Sequence, residues 1–335
     1  MCTAIFDKRN GGIVGRTLDL ECSFGEELVI APRGFEWHYL NEEGADEPLA
    51  LLGIAHVFDG TPLYYDAVNE AGLFMAALNF PGCAVYHEKK ADAHNVASFE
   101  VIPWVLRQCR SLDKAVELLL RTNVTSQNAA KELPSTPLHW ILADATGAYA
   151  VEPLASGLSL TPNPFGVLTN APEFSYHARR VSDFMGLSAS APENHFSVSL
   201  PLSAYSRGMG AMGMPGDLSS SSRFVRACFA KANVEEGSNR TEAVSRMFHV
   251  MDTVCQPRGF ARTEEGQPIE SVYTACAVLG EPSYYLSTYA CRRIHAVCLQ
   301  THENGNALSR FPLSQSEDVL WLDDVPDQKR GGGVF

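Results

Sequence analysis

Residues 1–19 read Met-Cys-Thr-Ala-Ile-Phe-Asp-Lys-Arg-Asn-Gly-Gly-Ile-Val-Gly-Arg-Thr-Leu-Asp. Residues 3–6 and 12–17 are two short strand-like runs. The polar, glycine-containing stretch 8–11 between them is a turn signal, so the spacing predicts a β-hairpin. Such a hairpin folds Arg16 and Asp19 back towards Cys2. A small second residue permits removal of Met1, after which Cys2 carries both a thiol and an α-amine. The amine has an ordinary pKa of about 7.7–8.0, so it can serve as a base near neutral pH. A guanidinium beside a thiol favours the thiolate, and Asp19 can accept a hydrogen bond from the amine. Taken singly, these residues have plainer readings. A cysteine at position 2 is common, and a lone Arg and Asp read first as a surface ion pair.

Working outward, residues 28–31, 51–54 and 73–78 are further apolar runs bounded by Gly, Pro and Asp. Helical spacing then takes over. Val101, Val105 and Cys109 share a face with Ile102 and Leu106, which sets Pro103 in the first turn. A second helix is expected over 112–120 with Ser111 as its N-cap. Residues 138–142, 148–151 and 167–168 read as strands. The stretch 174–213 has little periodicity and reads as a loop excursion with one short helix. Phe224, Val225, Cys228 and Phe229 predict a helix after the serine run 219–222. Val244, Met247, Phe248 and Met251 predict another, with Thr241 as N-cap. Residues 284–289 and 294–299 read as a strand pair, and Asn304-Gly305 as a turn before 308–311. The Gly-rich tail 329–335 is expected to be loose. Strands, helices, strands, helices, strands in that order predict an α+β fold with two sheets between helix layers, as a single domain over 1–335.

Composition narrows the function. Of 335 residues, 45% are hydrophobic and 19% charged, enough apolar content for a sizeable core. Lys and Arg number 26 against 39 Asp and Glu, a net charge of -13. That field repels phosphate backbones and argues against nucleic acid. The nine cysteines show no C-x-x-C spacing. They suggest neither a zinc site nor a disulfide framework. No metal and no cofactor are expected. No secretory signal and no apolar run of membrane-spanning length is present, so a cytoplasmic location is expected and no membrane partner. His139 reads as a hydrogen-bonded strand histidine rather than a base.

The motifs occur in a familiar order: Met-Cys-Thr at 1–3, Gly-Arg-Thr-Leu-Asp at 15–19, Pro-Leu-Tyr-Tyr-Asp-Ala at 62–67 and Leu-Asn-Phe-Pro-Gly at 78–82. Pro-Leu-His-Trp-Ile at 137–141, Val-Leu-Thr-Asn at 167–170 and Tyr-Ser-Arg-Gly-Met-Gly at 205–210 follow. Pro-Gly-Asp-Leu-Ser-Ser at 215–220 and Ser-Arg-Phe-Val-Arg at 222–226 complete them. Together they make the chain resemble the choloylglycine hydrolase family of N-terminal-nucleophile hydrolases, in its bile salt hydrolase branch. The resemblance implies an αββα four-layer sandwich. It implies Cys2 as nucleophile, Arg16 and Asp19 as the pair that activates and orients it, and Asn79 and Asn170 as oxyanion donors. Arg223 is implied to complete the polar network. By their surroundings alone, Asn79 and Asn170 read as turn residues at strand ends.

The implied reaction is hydrolysis of glycine- or taurine-conjugated bile salts through a Cys2 thioester, by a homotetramer with 174–213 as a contact arm. A steroid needs a broad apolar cleft. Leu18, Phe58 and Leu133 are candidate walls, each equally readable as core. Four rivals stay open: a penicillin V acylase or N-acyl homoserine lactone acylase, an amine N-acyltransferase using the same acyl-enzyme, an inactive bile-acid-binding protein, and a papain-like enzyme using Cys83.

Overall fold

The computed structural model describes residues 1–321. The tail expected to be loose at 329–335 lies outside the described residues. In chain order the strands are β1 (Cys2–Asp7), β2 (Ile13–Leu20), β3 (Glu27–Ala31), β4 (Leu51–Phe58), β5 (Thr61–Asn69) and β6 (Phe74–Asn79). They continue with β7 (His94–Ala97), β8 (Thr122–Thr125), β9 (Leu138–Asp144), β10 (Gly147–Leu154), β11 (Gly157–Pro162) and β12 (Val167–Leu168). The last are β13 (Ala261–Arg262), β14 (Pro268–Val278), β15 (Ser283–Thr288), β16 (His295–Cys298) and β17 (Ser309–Pro312). The helices are α1 (Val101–Leu106), α2 (Leu112–Leu119), α3 (Phe174–Arg180), α4 (Ser220–Asn233) and α5 (Arg240–Asp252).

Among the described residues, one sheet runs β12-β1-β2-β14-β15-β16 with β13 paired to β14, and a larger one runs β11-β10-β9-β6-β5-β4-β3-β17. Side chains alternate across each strand, so each sheet presents one face to the other sheet and one to helices. Leu52, Ile54, Phe74, Ala76, Ile141 and Ala143 of the larger sheet share a core with Ala4, Val14, Ala275 and Leu286 of the smaller. The opposite face of the larger sheet, with Leu51, Met75, Trp140 and Leu142, buries Trp104, Val105 and Leu119 of α1 and α2. Helices α4 and α5 cover β1, β2 and β14. The layers therefore run helix, sheet, sheet, helix, as expected.

Two glycines are required by close approaches, one between layers and one within a sheet. A Cβ at Gly15 would lie 2.6 Å from the Met247 sulfur of α5, so glycine is required there for helix and sheet to meet. A Cβ at Gly53 would lie 2.0 Å from the Asp66 carbonyl oxygen, beside the register shift between β4 and β5.

The hairpin of β1 and β2, the Ser111 cap and the β15–β16 pair form as read from the sequence. Two boundaries differ. Helix α4 begins within the serine run, because Ser219 Oγ accepts from the Ser222 N–H and caps it. Helix α5 is capped by Asn239, whose side chain accepts from the Glu242 N–H; Thr241 lies inside the first turn. The stretch 174–213 holds α3, short 3₁₀ turns at Val181–Phe184 and Met209–Ala211, and otherwise irregular backbone. Among the described residues, no helix is long and apolar enough to cross a membrane.

Candidate active site

In the β1–β2 hairpin, Cys2 stands opposite Leu18 and Ala4 opposite Arg16. Directly paired residues face the same way, so the Cys2 and Arg16 side chains both enter the space between the sheets. Arg16 Nη2 comes within 4.0 Å of Cys2 Sγ and donates to the Ala77 carbonyl at 2.8 Å. The thiol is 2% exposed as a residue, so the guanidinium acts on it with little screening by water. Burial works against the Arg16 charge, but the Tyr273 and Asp66 oxygens and the Cys2 sulfur outweigh it and hold the guanidinium above its ordinary pKa.

The other neighbour of β1 is β12, which delivers Asn170 just beyond its end. The Cys2 nitrogen donates to Asn170 Oδ1 at 2.9 Å. The same oxygen accepts from Arg223 Nη2 at 2.6 Å, and Asn170 Nδ2 donates to the Asn79 carbonyl at 2.7 Å. Arg223 Nη1, from the first turn of α4, donates to the Cys2 carbonyl and to Thr3 Oγ1, each at 2.6 Å. Full burial pushes Arg223 below its ordinary pKa, opposed by Asp19 and Cys2. An arginine at a helix start runs against the helix dipole; here its guanidinium is spent on β1 and Asn170 instead.

Asn170 is itself clamped. Ser220 Oγ accepts from the Asn170 N–H and donates to its carbonyl, both at 2.9 Å. His177 Nε2 lies 2.9 Å from the same carbonyl, and burial pushes His177 below its ordinary pKa. One residue earlier, the Thr169 carbonyl meets His139 Nε2 at 3.0 Å, while His139 Nδ1 meets Glu152 at 3.2 Å and its ring stacks on Phe80. His139 is thus a hydrogen-bonded strand histidine, as read.

With Met1 in place, the Cys2 peptide nitrogen donates to Asn170 and not to Asp19, the residue expected to accept from the free α-amine. One residue beyond Leu18, Asp19 faces the helix side of its sheet. Its carboxylate takes hydrogen bonds from Ser271 Oγ at 2.6 Å, Gln256 Nε2 at 3.2 Å and Thr17 Oγ1 at 3.3 Å. Burial pushes its pKa up, and Arg223 pulls against that. Its backbone N–H donates to the Met1 carbonyl at 2.8 Å, so Met1 extends the ladder beside it. Asn79 ends β6, half-buried, and its Oδ1 has no hydrogen-bond partner among the described residues.

The candidate wall residues separate. Leu18 is buried beside Cys2 in the shared core. Phe58 is the last residue of β4 and pairs with Thr61; because β5 runs antiparallel to β6, this is the end of the larger sheet that carries Asn79. Leu133 is half-buried on the loop leading to Leu138, the partner of Asn79. All three are therefore on the Asn79 side of the sandwich, with Leu18 alone packed against the thiol's strand.

Reasoning on the sequence alone missed Asp66, Tyr273 and Tyr284. Asp66 pairs with Arg16 Nη1 at 3.0 Å, and both tyrosine hydroxyls donate to its carboxylate, Tyr273 at 2.6 Å. Two β-bulges arrange this. Ile54 pairs with Asp66 but Ala55 with Tyr64, so Tyr65 is the extra residue. Tyr65 and Asp66 then both face Arg16, with the Arg16 guanidinium 6.0 Å from the Tyr65 ring. On β14, Ser271 pairs with Asp19 and Tyr273 with Leu18, skipping Val272. Bulges re-aim side chains in this way. The available signals were the Tyr-Tyr-Asp run within motif 62–67 and the runs Val-Tyr-Thr-Ala-Cys at 272–276 and Tyr-Tyr-Leu-Ser-Thr-Tyr at 284–289, which resemble the same family branch.

Among the described residues, no group of three or more His, Cys, Asp or Glu is placed to hold a metal ion. The constellation is a buried thiol beside a cation, its backbone nitrogen held by an acceptor, and a half-buried carboxamide. That set suits acyl transfer.

The model for linear amide C–N hydrolases of the choloylglycine hydrolase family matches residues 2–309. The chain is 38% identical over 314 residues to a bile salt hydrolase/transferase of Lactiplantibacillus plantarum, covering 93% of this chain and 97% of that one. It is 35% identical to a bile salt hydrolase/transferase of Bifidobacterium longum, covering 86% and 92%. A cysteine-to-alanine mutant of conjugated bile acid hydrolase from Clostridium perfringens superposes with a TM-score of 0.87 at 29% identity, covering 96% of this chain and 100% of that one. Penicillin V acylase from Agrobacterium tumefaciens, at 18% identity and a TM-score of 0.72, shares the fold over 92% of this chain and 90% of its own.

Proposed function

The chain belongs to the choloylglycine hydrolase family of linear amide C–N hydrolases, and from that premise we propose that it cleaves the amide bond of glycine- or taurine-conjugated bile acids. The observation that carries this is the Cys2 nitrogen, 2.9 Å from Asn170 Oδ1, on the residue whose thiol faces Arg16. Removal of Met1 turns that nitrogen into an α-amine. The amine takes the thiol proton, and Arg16 favours the thiolate. The thiolate attacks the substrate carbonyl, and Asn79 donates to the developing oxyanion. The amine then returns its proton to the departing glycine or taurine nitrogen. Water, losing a proton to the amine, cleaves the thioester and releases the bile acid. Asn170 Oδ1 holds the amine, while its Nδ2, expected as a second oxyanion donor, donates to the Asn79 carbonyl; Arg223 holds Asn170 and the Cys2 carbonyl, and Asp19 steadies this end of β2. Leu18, Phe58 and Leu133 line the approach for the steroid.

The names of the relatives support both a steroid substrate and a second fate of the acyl-enzyme, in which an amine replaces water. We infer that the chain works as one domain and that 174–213 is an assembly arm of a homotetramer. Exposed Phe196, Val198 and Tyr205 on that arm support this; a monomer by light scattering overturns it.

The test sets glycocholate, taurocholate and penicillin V side by side with enzyme whose first residue is verified as Cys2. Release of glycine or taurine supports the proposal. Turnover of penicillin V alone overturns the substrate assignment. Added amino acids that appear as new conjugates establish the transfer branch.

A further inference from the structure

We propose that Asp66 is a positioning residue for Cys2: it anchors one edge of the Arg16 guanidinium so that the other edge faces the thiol. The inference rests on the reading of Cys2 as nucleophile. Asp66 does not touch Cys2. It is fully buried on β5, in the opposite sheet, and reaches Arg16 Nη1 at 3.0 Å. Tyr273 donates to one carboxylate oxygen at 2.6 Å and Tyr284 donates to the other. Three donors thus converge on one carboxylate. A guanidinium is planar and rigid, so fixing Nη1 fixes the direction of Nη2. Nη2 then has two neighbours, the Ala77 carbonyl at 2.8 Å and Cys2 Sγ at 4.0 Å.

A structural tie between the sheets is the plainer account, and it fits the geometry less well. Apolar pairs of similar volume hold two layers together at least as firmly as a buried ion pair does. Here the ion pair also comes with a bulge at Tyr65 and a glycine at position 53. Without Gly53, a Cβ would collide with the Asp66 carbonyl oxygen. The bulge turns both Tyr65 and Asp66 onto the Arg16 side chain, and Tyr273 covers it from β14, its ring 5.4 Å from the guanidinium. The Asp66 carboxylate thus meets Arg16 and two tyrosines, of which Tyr273 also accepts from Arg16.

The test uses Cys2-initiated protein carrying Asp66→Asn, and separately Tyr284→Phe. Alkylation of Cys2 by iodoacetamide is followed by mass from acidic to alkaline pH, alongside kcat and KM for amide hydrolysis. The proposal predicts that Asp66→Asn moves the alkylation midpoint upward by about one pH unit, roughly a tenfold loss of thiolate below the midpoint, because the lost orientation of Arg16 outweighs removal of a carboxylate charge that alone would favour the thiolate. It predicts a matching fall in kcat with KM unchanged. Tyr284→Phe should shift both in the same direction by less. Folded variants that keep the parental midpoint overturn it. If Asp66→Asn does not fold, Tyr284→Phe alone decides, with an unmoved midpoint as the contrary result. Alkylation needs no bile salt, so a wrong substrate assignment leaves this test intact. A parent enzyme whose Cys2 alkylates no faster than an ordinary thiol would instead count against the nucleophile itself.

Discussion

Ser271 and Tyr273 stand two residues apart on β14, yet they pair with adjacent residues of β2, Asp19 and Leu18. Regular alternation would put both side chains on one face. The bulge at Val272 sends Ser271 to the helix side, where it donates to Asp19, and Tyr273 to the space between the sheets, where it meets Asp66 and Arg16. One irregularity therefore serves both polar clusters that flank Cys2.

Asn170→Ala removes the acceptor of the Cys2 nitrogen and leaves Arg223 Nη2 without its side-chain partner. An unpaired buried group of this kind costs about 1.5–3 kcal/mol. Denaturant unfolding should show a loss of that order, and kcat/KM on a conjugated bile salt should fall with it. Parental stability and turnover would mean that the Asn170 contacts carry neither.

Asn79→Ala probes the donor proposed for the oxyanion. Its carboxamide oxygen has no hydrogen-bond partner among the described residues, so stability should change little. Loss of one such donor typically removes about 2.7–4 kcal/mol of transition-state stabilisation, roughly a hundredfold to a thousandfold in kcat. A fall in KM affinity with unchanged kcat would assign Asn79 to substrate binding instead.

Gly15→Val drives a side chain into Met247 and Met251 of α5, at 2.6 and 2.7 Å from the first added carbon. Overpacking of this kind costs about 1–3 kcal/mol. A lowered midpoint of chemical denaturation checks it, and an unchanged midpoint would show that α5 is free to move away.

His177 supplies a pH dependence. Burial holds its pKa below the ordinary value, and its Nδ1 is buried without a partner among the described residues. A base with a depressed folded pKa binds fewer protons folded than unfolded, so stability rises with pH in that window. The contribution is full above about pH 6.5, the unfolded value, and is lost as pH falls through the folded value. Unfolding free energies at mildly acidic and neutral pH should differ, and the difference should shrink in His177→Gln. An undiminished difference would assign it to other groups.

Much of this was legible in the sequence because it is local. The hairpin follows from two short runs and a glycine turn, and Ser111 announces its helix by position. The same local signals misplace α4 and α5 by a few residues, since several Ser, Thr and Asn in a row are all competent caps and tertiary contacts select among them. Ser220 is fixed by Asn170, fifty residues away in sequence. Cys2 and Arg16 were brought together by the hairpin spacing, Asn170 and Arg223 were named only through the family motifs, and the structure brings all four together. Asp66 and Tyr273 were not, because bulges at Tyr65 and Val272 aim them and no two-residue pattern encodes a skipped residue; Tyr284, in regular register on β15, joins them only through its contact with Asp66. With Met1 in place, the Cys2 peptide nitrogen meets Asn170 and not Asp19 for a plainer reason, the regular alternation of β2. Asp19 is one residue past Leu18 and so faces the other side of the sheet.

The most direct test of the central claim is the rate of glycine release from glycocholate by reduced protein whose first residue is verified by mass as Cys2, beside Cys2→Ala. The account predicts prompt release by the first and none by the second. Release that survives Cys2→Ala, or its absence with Cys2 exposed and reduced, would contradict it.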